Sequence, residues 1–173
     1  DIHATLCEVY HADTAVVVPG GGTYGMEAVA RQIAGDEDVM VIRNGFFSFR
    51  WSQIFDAGAI PKSQTVLKAR RTGNEITAPF APAPLEEAVA EIHAFKPAAV
   101  FAPHVETASG MILPDGYIRA LSDAVHEEGG LMVLDCIASG CAWVDMKATG
   151  VDVLISAPQK GWSAQPSAGL VML

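Results

Sequence analysis

The sequence predicts a three-layer α/β/α fold built around a mostly parallel sheet of seven strands. Short runs rich in β-branched residues alternate along the 173-residue chain with longer stretches of helical periodicity. Several of the short runs are apolar throughout, which is typical of strands covered by helices on both faces. The link at residues 157–167 is too short for an ordinary crossover helix, so we expect the seventh strand to run antiparallel to the others.

The elements follow one another in a regular order. Helical spacing opens the chain at residues 1–11, and the seven strands are predicted at residues 14–18, 38–43, 65–70, 98–102, 131–135, 151–156 and 168–173. Four further helices are predicted near residues 24–34, 47–57, 84–95 and 114–128. Pro84 and Pro114 stand at helix starts, where proline loses no hydrogen bond. Residues 72–84 carry three prolines, and we expect an irregular surface loop there, near the site.

The composition narrows the class of protein. Half of the residues are apolar and 18% are charged, which indicates one globular domain. The net charge of −9 argues against nucleic acid or an anionic membrane as a partner. Cys7, Cys136 and Cys141 form no C-x-x-C pair, so we expect neither a disulfide framework nor a zinc site, and a cytoplasmic location. Both chain ends are abrupt, and we expect a piece of a longer polypeptide.

Chemically useful residues follow the strands of this predicted sheet. Ligands of open α/β sheets bind beyond the carboxyl ends of the strands. In strand order, those positions hold Gly20-Gly21-Gly22-Thr23, Asn44-Gly45-Phe46-Phe47, His104-Val105-Glu106-Thr107, Asp135, and Gln159-Lys160. The sequence therefore gathers an anion-binding loop, aromatic rings, a carboxylate and a lysine at one edge.

The glycine loop has more than one interpretation. Its backbone N–H groups could bind a phosphate at the start of the following helix, or the loop could be a flexible turn. Gly20, Gly22 and Gly25 also match the G-x-G-x-x-G dinucleotide pattern. For NAD, that pattern needs an acidic residue after the second strand, and this chain has Arg43 there. An arginine can instead bind the 2′-phosphate of NADP, so an NADP-binding domain is an alternative hypothesis.

Asp135 and Lys160 suggest a different cofactor. A carboxylate that ends a buried strand is costly without a partner, and it could cap a turn or pair with a protonated pyridine nitrogen. Lysines are mostly solvated, but Lys160 follows the adjoining apolar strand and could act as a nucleophile and a base. Phe47 could belong to the core or stack on a flat cofactor. The His104-x-Glu106 pair lacks further ligands, so we expect no metal.

Five segments, taken together and in order, resemble the class V aminotransferases, a branch of the fold-type I enzymes that use pyridoxal 5'-phosphate (PLP). Gly20-Gly21-Gly22-Thr23 is similar to the family pattern G-S-G-T, and Asn44-Gly45-Phe46-Phe47 with Arg50 is similar to N-G-x-[FW]-x-x-R. His104 to Gly110 is similar to H-x-E-T-S-T-G. Asp135 to Ser139 is similar to D-x-x-x-S, and Ser156 to Lys160 to S-x-x-Q-K. Gly21 and Ala108 replace hydroxyl residues of these patterns, and the segment after Lys160 departs from the usual proline-rich one.

The resemblance implies a role for each matched residue. Lys160 would hold PLP as a Schiff base and move the substrate proton, and Asp135 would contact the ring nitrogen. The other implied cofactor contacts are Gly21, Gly22, Thr23 and Gln159 at the phosphate, Phe47 and Ile137 on the two ring faces, and Thr107 near the ring oxygen.

The resemblance also suggests an activity and a domain organisation. Gln159 before Lys160 is similar to the alanine/serine–glyoxylate branch, which implies transamination between a small amino acid and a 2-oxo acid. A cysteine desulfurase or lyase on the same frame is the alternative within this group. Residues 1–173 would form the large, PLP-binding domain of a homodimer, without the small C-terminal domain, so we expect this piece alone to be inactive.

Overall fold

The computed structural model describes residues 1–173, and six helices alternate with its strands. The helices are α1 Ile2–Tyr10, α2 Gly22–Ile33, α3 Phe49–Gly58, α4 Leu85–Phe95, α5 Asp115–Glu127 and α6 Met146–Thr149. The strands are β1 Ala15–Pro19, β2 Asp38–Arg43, β3 Ser63–Lys68, β4 Arg70–Arg71, β5 Phe80–Ala81, β6 Ala99–Pro103, β7 Val105–Glu106, β8 Met111–Ile112, β9 Leu131–Asp135, β10 Val153–Ser156 and β11 Ala168–Met172.

Seven of the strands form one sheet in the order β1-β11-β10-β9-β6-β2-β3. β11 pairs antiparallel with both β1 and β10, whereas the other neighbouring strands are parallel. The predicted α/β class, the seven strands and the reversed last strand are therefore confirmed. β9 and β10 are direct neighbours, so the ends of the strands that precede Lys160 and carry Asp135 lie side by side.

Helices cover both faces of the sheet, and successive strand residues alternate between two cores. Helices α1, α4, α5 and α6 pack over one face, on residues such as Met132 and Leu134. Helices α2 and α3 pack over the other face, on residues such as Val133 and Ile155. Because both faces are buried, the central strands need apolar residues at every position, which explains their unbroken apolar runs.

The structure differs from the sequence prediction in several places. β3 begins at Ser63, two residues early, because this edge strand pairs along the whole of β2 and its polar start binds Asp38 through the Ser63 hydroxyl at 2.6 Å. Residues 70–81 form a small hairpin of β4 and β5, within the stretch expected to be irregular. The short helix α6 was not predicted, since four residues show no helical period. None of the helices has the length and apolar character needed to cross a membrane.

Candidate active site

One cavity lies at the carboxyl ends of the central strands and has a volume of about 250 Å³. Its walls are formed by Gly22, Thr23, Met26, Phe47, Arg50, Val105, Thr107, Asp135, Ile137, Ala138, Gln159 and Lys160. Eight of the nine residues that the sequence suggested for cofactor binding are among them. Larger hollows of about 390 and 490 Å³ elsewhere contain none of the nine. Residue chemistry, rather than size, therefore selects this cavity.

The glycine loop brings the start of α2 to the cavity wall. Gly21 is the N-cap residue of α2, and no side chain caps this helix end. The first N–H groups of a helix have no acceptor within the helix and favour an anion. Gly22 lies so close to Ile137 that an added Cβ would stand 2.6 Å from the Ile137 Cδ1 atom. Gly21 itself does not line the cavity, so its predicted contact stays a prediction.

Asp135 forms the floor of the cavity at the end of β9. Its side chain is 8% exposed, and its Oδ1 atom accepts a hydrogen bond of 2.9 Å from the Ile137 N–H. No Lys, Arg or His lies within ion-pair distance. Burial, reinforced by the charge of Glu106, raises the pKa of Asp135 to about 6. A cationic N–H group placed in the cavity would supply the missing partner.

Gln159 and Lys160 enter the cavity from the turn that follows β10. The Lys160 side chain is exposed, and no carboxylate lies within 4.0 Å of its amine. The Oε1 atom of Gln159 is buried and has no hydrogen-bond partner. A free amine and an unpartnered amide oxygen thus face the same space as the Asp135 carboxylate, which leaves several polar groups for a ligand to satisfy.

The aromatic wall comes from the loop between β2 and α3. The Phe47 side chain is 46% exposed, and its ring meets the Phe46 ring edge-on at 5.6 Å. Glu106 holds the backbone of this loop, because its carboxylate accepts hydrogen bonds from the Phe47 and Ser48 N–H groups at 3.0 and 2.8 Å. These bonds explain why α3 begins at Phe49 and not at Phe47, as the sequence suggested.

These features fit PLP as a ligand. The buried, unpaired Asp135 suits a pyridinium nitrogen, the uncapped start of α2 suits a phosphate, and the Lys160 amine suits an aldehyde. Arg43, which the NADP hypothesis required, does not line this cavity and instead bonds Ser52 and lies over the Phe49 ring at 4.5 Å.

Comparison with known proteins also indicates an aminotransferase. No family model matches the chain. The 2-aminoethylphosphonate–pyruvate transaminase of Vibrio cholerae is 29% identical over 97% of this chain, which is 43% of that enzyme. The solved alanine–glyoxylate aminotransferase of Nostoc has a TM-score of 0.80 at 25% identity, over 99% of this chain and 42% of its own. In sequence and in fold, this chain is similar to aminotransferases.

One similar protein carries a name of another kind. A Synechococcus protein named as the small subunit of a soluble hydrogenase is 30% identical over 98% of this chain and 41% of its own length. The chain spans about two fifths of the length of the curated relatives it matches. No group of three His, Cys, Asp or Glu side chains is close enough to hold a metal ion.

Two side chains at this cavity were not assigned a role from the sequence. Arg50 lines the cavity, and its Nη1 atom donates to the Thr23 hydroxyl at 3.2 Å. Glu106 lies just behind the wall. Both stand inside the matched segments. No local pattern reveals their contacts across the cavity wall, because Arg50 reaches Thr23 over 27 residues and Glu106 reaches the Ser48 and Phe47 N–H groups over 58 and 59 residues.

His104, the other half of the H-x-E pair, has a structural environment. Its Nδ1 atom lies 2.8 Å from the Ser139 hydroxyl, and its side chain is buried. Burial lowers the pKa of His104, so the ring is neutral near pH 7. His104 and Glu106 therefore bind different partners and do not form one site.

Proposed function

We propose that residues 1–173 are the large, PLP-binding domain of a class V aminotransferase of the alanine/serine–glyoxylate type. The reaction would move an amino group from a small amino acid to a 2-oxo acid such as glyoxylate or pyruvate. One observation carries the proposal: the buried, unpaired Asp135 and the free Lys160 amine face one cavity that opens on an uncapped helix start. The names of the relatives, which use pyruvate or glyoxylate as acceptor, support the substrate class.

The phosphate would bind at the glycine loop. Gly21, Gly22 and Thr23 supply backbone and hydroxyl donors at the start of α2, and Gln159 adds its amide. Arg50 contributes a positive charge, already directed at this place by its bond to Thr23. A phosphate would therefore be bound by fixed dipoles and one guanidinium.

The ring would lie between Phe47 and Ile137. Both side chains line the cavity, and their apolar surfaces exclude water from the two faces of a flat ring. Thr107 offers a hydroxyl at the rim. Asp135, once it faces a cation, is held ionised and keeps a proton on the nitrogen that it contacts.

Lys160 is the proposed catalytic base. PLP, when bound, supplies an aldehyde that takes up amino groups and a cationic ring that accepts electrons from the substrate Cα. The Lys160 amine would remove the Cα proton of the amino acid and deliver it again within the cavity. Its freedom from carboxylate partners leaves the amine available for this transfer.

The setting of the domain is also part of the proposal. The small C-terminal domain and a second subunit would complete the site in a cytoplasmic homodimer, as in the resembled family. All three cysteines are free thiols, which suits a reducing compartment.

The test is transamination by the intact protein loaded with PLP. We expect alanine or serine to donate to glyoxylate or pyruvate, and the Lys160→Ala variant to lose this activity. Lys147→Ala, an exposed lysine away from the cavity, is the matched control and should keep it. Release of sulfide from cysteine in place of transamination would favour a desulfurase. Undiminished transamination by Lys160→Ala would refute the proposal.

A further inference from the structure

Glu106 is a buried carboxylate that the proposed reaction does not use. Its side chain is 0% exposed, it does not line the cavity, and no Lys, Arg or His lies within ion-pair distance. A buried, unpaired carboxylate is costly unless hydrogen bonds replace its water. Its presence therefore calls for a physical reason beyond packing.

The hydrogen bonds of Glu106 all run to one loop and its own hairpin. Its Oε1 atom accepts from the N–H groups of Phe47 at 3.0 Å and Ala108 at 3.3 Å. Its Oε2 atom accepts from the Ser48 N–H at 2.8 Å and the Ser48 hydroxyl at 2.7 Å. Four donors thus surround the carboxylate, two at each oxygen.

The loop approaches Glu106 closely at a glycine. A Cβ atom added to Gly45 would stand 2.7 Å from the Glu106 Cδ atom. Any larger residue at position 45 would push the carboxylate away from the N–H groups it binds. The Glu106 carboxylate therefore keeps its hydrogen bonds only because residue 45 is a glycine.

The contact joins two walls of the cavity. On one side the Phe47 ring is nearly half exposed and meets the Phe46 ring edge-on, so much of its surface is not held by packing. On the other side, Val105 and Thr107 flank Glu106 in sequence and both line the cavity. The hydrogen bonds from the Phe47 and Ser48 N–H groups to Glu106 hold the backbone that carries the Phe47 ring.

We propose that Glu106 is a positioning residue: it holds the Phe47 backbone so that the Phe47 ring can stack on a flat aromatic cofactor. The inference rests on the proposed PLP function. Preorganised side chains bind more tightly because less freedom is lost on binding. Loss of the Glu106 carboxylate should therefore weaken cofactor binding through Phe47 and not by direct contact.

A double-mutant cycle tests this path in the intact protein. Glu106→Gln keeps the size of the side chain but points an amide NH₂ at two of the four donors. PLP dissociation constants would be measured for the wild type, Glu106→Gln, Phe47→Ala and the double variant. We expect each single variant to bind PLP about tenfold more weakly, and Glu106→Gln to add little once Phe47 is absent. Full additivity of the two effects would overturn the inference.

Hydrogen exchange supplies a readout that needs no cofactor. In Glu106→Gln, the amides of Phe47 and Ser48 should exchange about tenfold to a hundredfold faster than in the wild type. The control is Glu8→Gln, an exposed glutamate of α1 without a hydrogen-bonded partner. Unchanged exchange at these two amides would show that Glu106 does not hold the loop.

Gly45→Ala tests the same contact if Glu106→Gln does not fold. Gly45→Ala displaces the carboxylate without removing it and should reproduce both the faster exchange and the non-additivity with Phe47→Ala. Wild-type protein that takes up no PLP would sink the proposed function, while the exchange experiment would still decide whether Glu106 anchors Phe47. Normal exchange in Gly45→Ala would count against the inference independently.

Discussion

Replacement of Asp135 by asparagine should stabilise the cofactor-free protein at neutral pH. The carboxylate is buried and has a single hydrogen-bond donor, the Ile137 N–H, which an asparagine oxygen can equally accept. Its pKa rises from the ordinary 3.8 to about 6 because burial disfavours the charged form. The charged form is therefore a cost to folding that asparagine avoids.

The size of this effect follows from linkage. The folded-state pKa is raised, so the contribution of Asp135 to stability is fully present below about pH 4 and is lost as the pH rises through about 6. Since one pKa unit is worth about 1.4 kcal/mol, the loss is roughly 3 kcal/mol at most. We expect the gain in unfolding free energy of Asp135→Asn over the wild type to grow by about 2–3 kcal/mol between about pH 4 and pH 8.

Urea denaturation across this pH range measures the difference directly. Asp36→Asn is the matched control: Asp36 is exposed and has a φ of +58°, which asparagine also tolerates, so its difference from the wild type should stay flat. With PLP the order should reverse, because Asp135→Asn lacks the charge that retains a pyridinium. A difference from the wild type that does not change with pH would refute the account of the Asp135 pKa.

Two further substitutions test the phosphate end of the cavity. Gly22→Ala should lower the unfolding free energy by about 1–3 kcal/mol, because its Cβ crowds Ile137, and it should weaken PLP binding. Gly116→Ala is the control, since its Cβ meets no atom within 4 Å, and it should have neither effect. Thermal unfolding measures the stability and PLP titration measures the binding. Arg50→Ala should weaken the binding of PLP about tenfold but that of pyridoxal, which lacks the phosphate, very little, because one charge-assisted bond is lost. Equal losses for the two compounds would contradict the role given to Arg50.

The fold follows from the sequence because its signals are local. The apolar runs at β6 and β9 and the long helical periods mark the elements without reference to distant residues. The reversed β11 follows from the length of a single link. The hairpin of β4 and β5 and the four-residue α6 were missed because segments so short leave no period to detect.

The lining of the cavity was predictable where a residue follows a strand. Lys160 and Asp135 each follow a strand, and the topology brings strand ends together. Glu106 could not be assigned in the same way, because its role depends on N–H groups 58 and 59 residues away. Arg50 likewise reaches Thr23 only through the packing of α2 and α3.

We expect Lys160 to bind the aldehyde of PLP. The direct measurement is to load the intact protein with PLP, reduce it with borohydride, digest it and locate the pyridoxyl group by mass spectrometry. Within residues 1–173, we expect a single label on Lys160 and none on Lys62, Lys68, Lys96 or Lys147. A label spread over the other lysines, or no label on Lys160, would contradict the account.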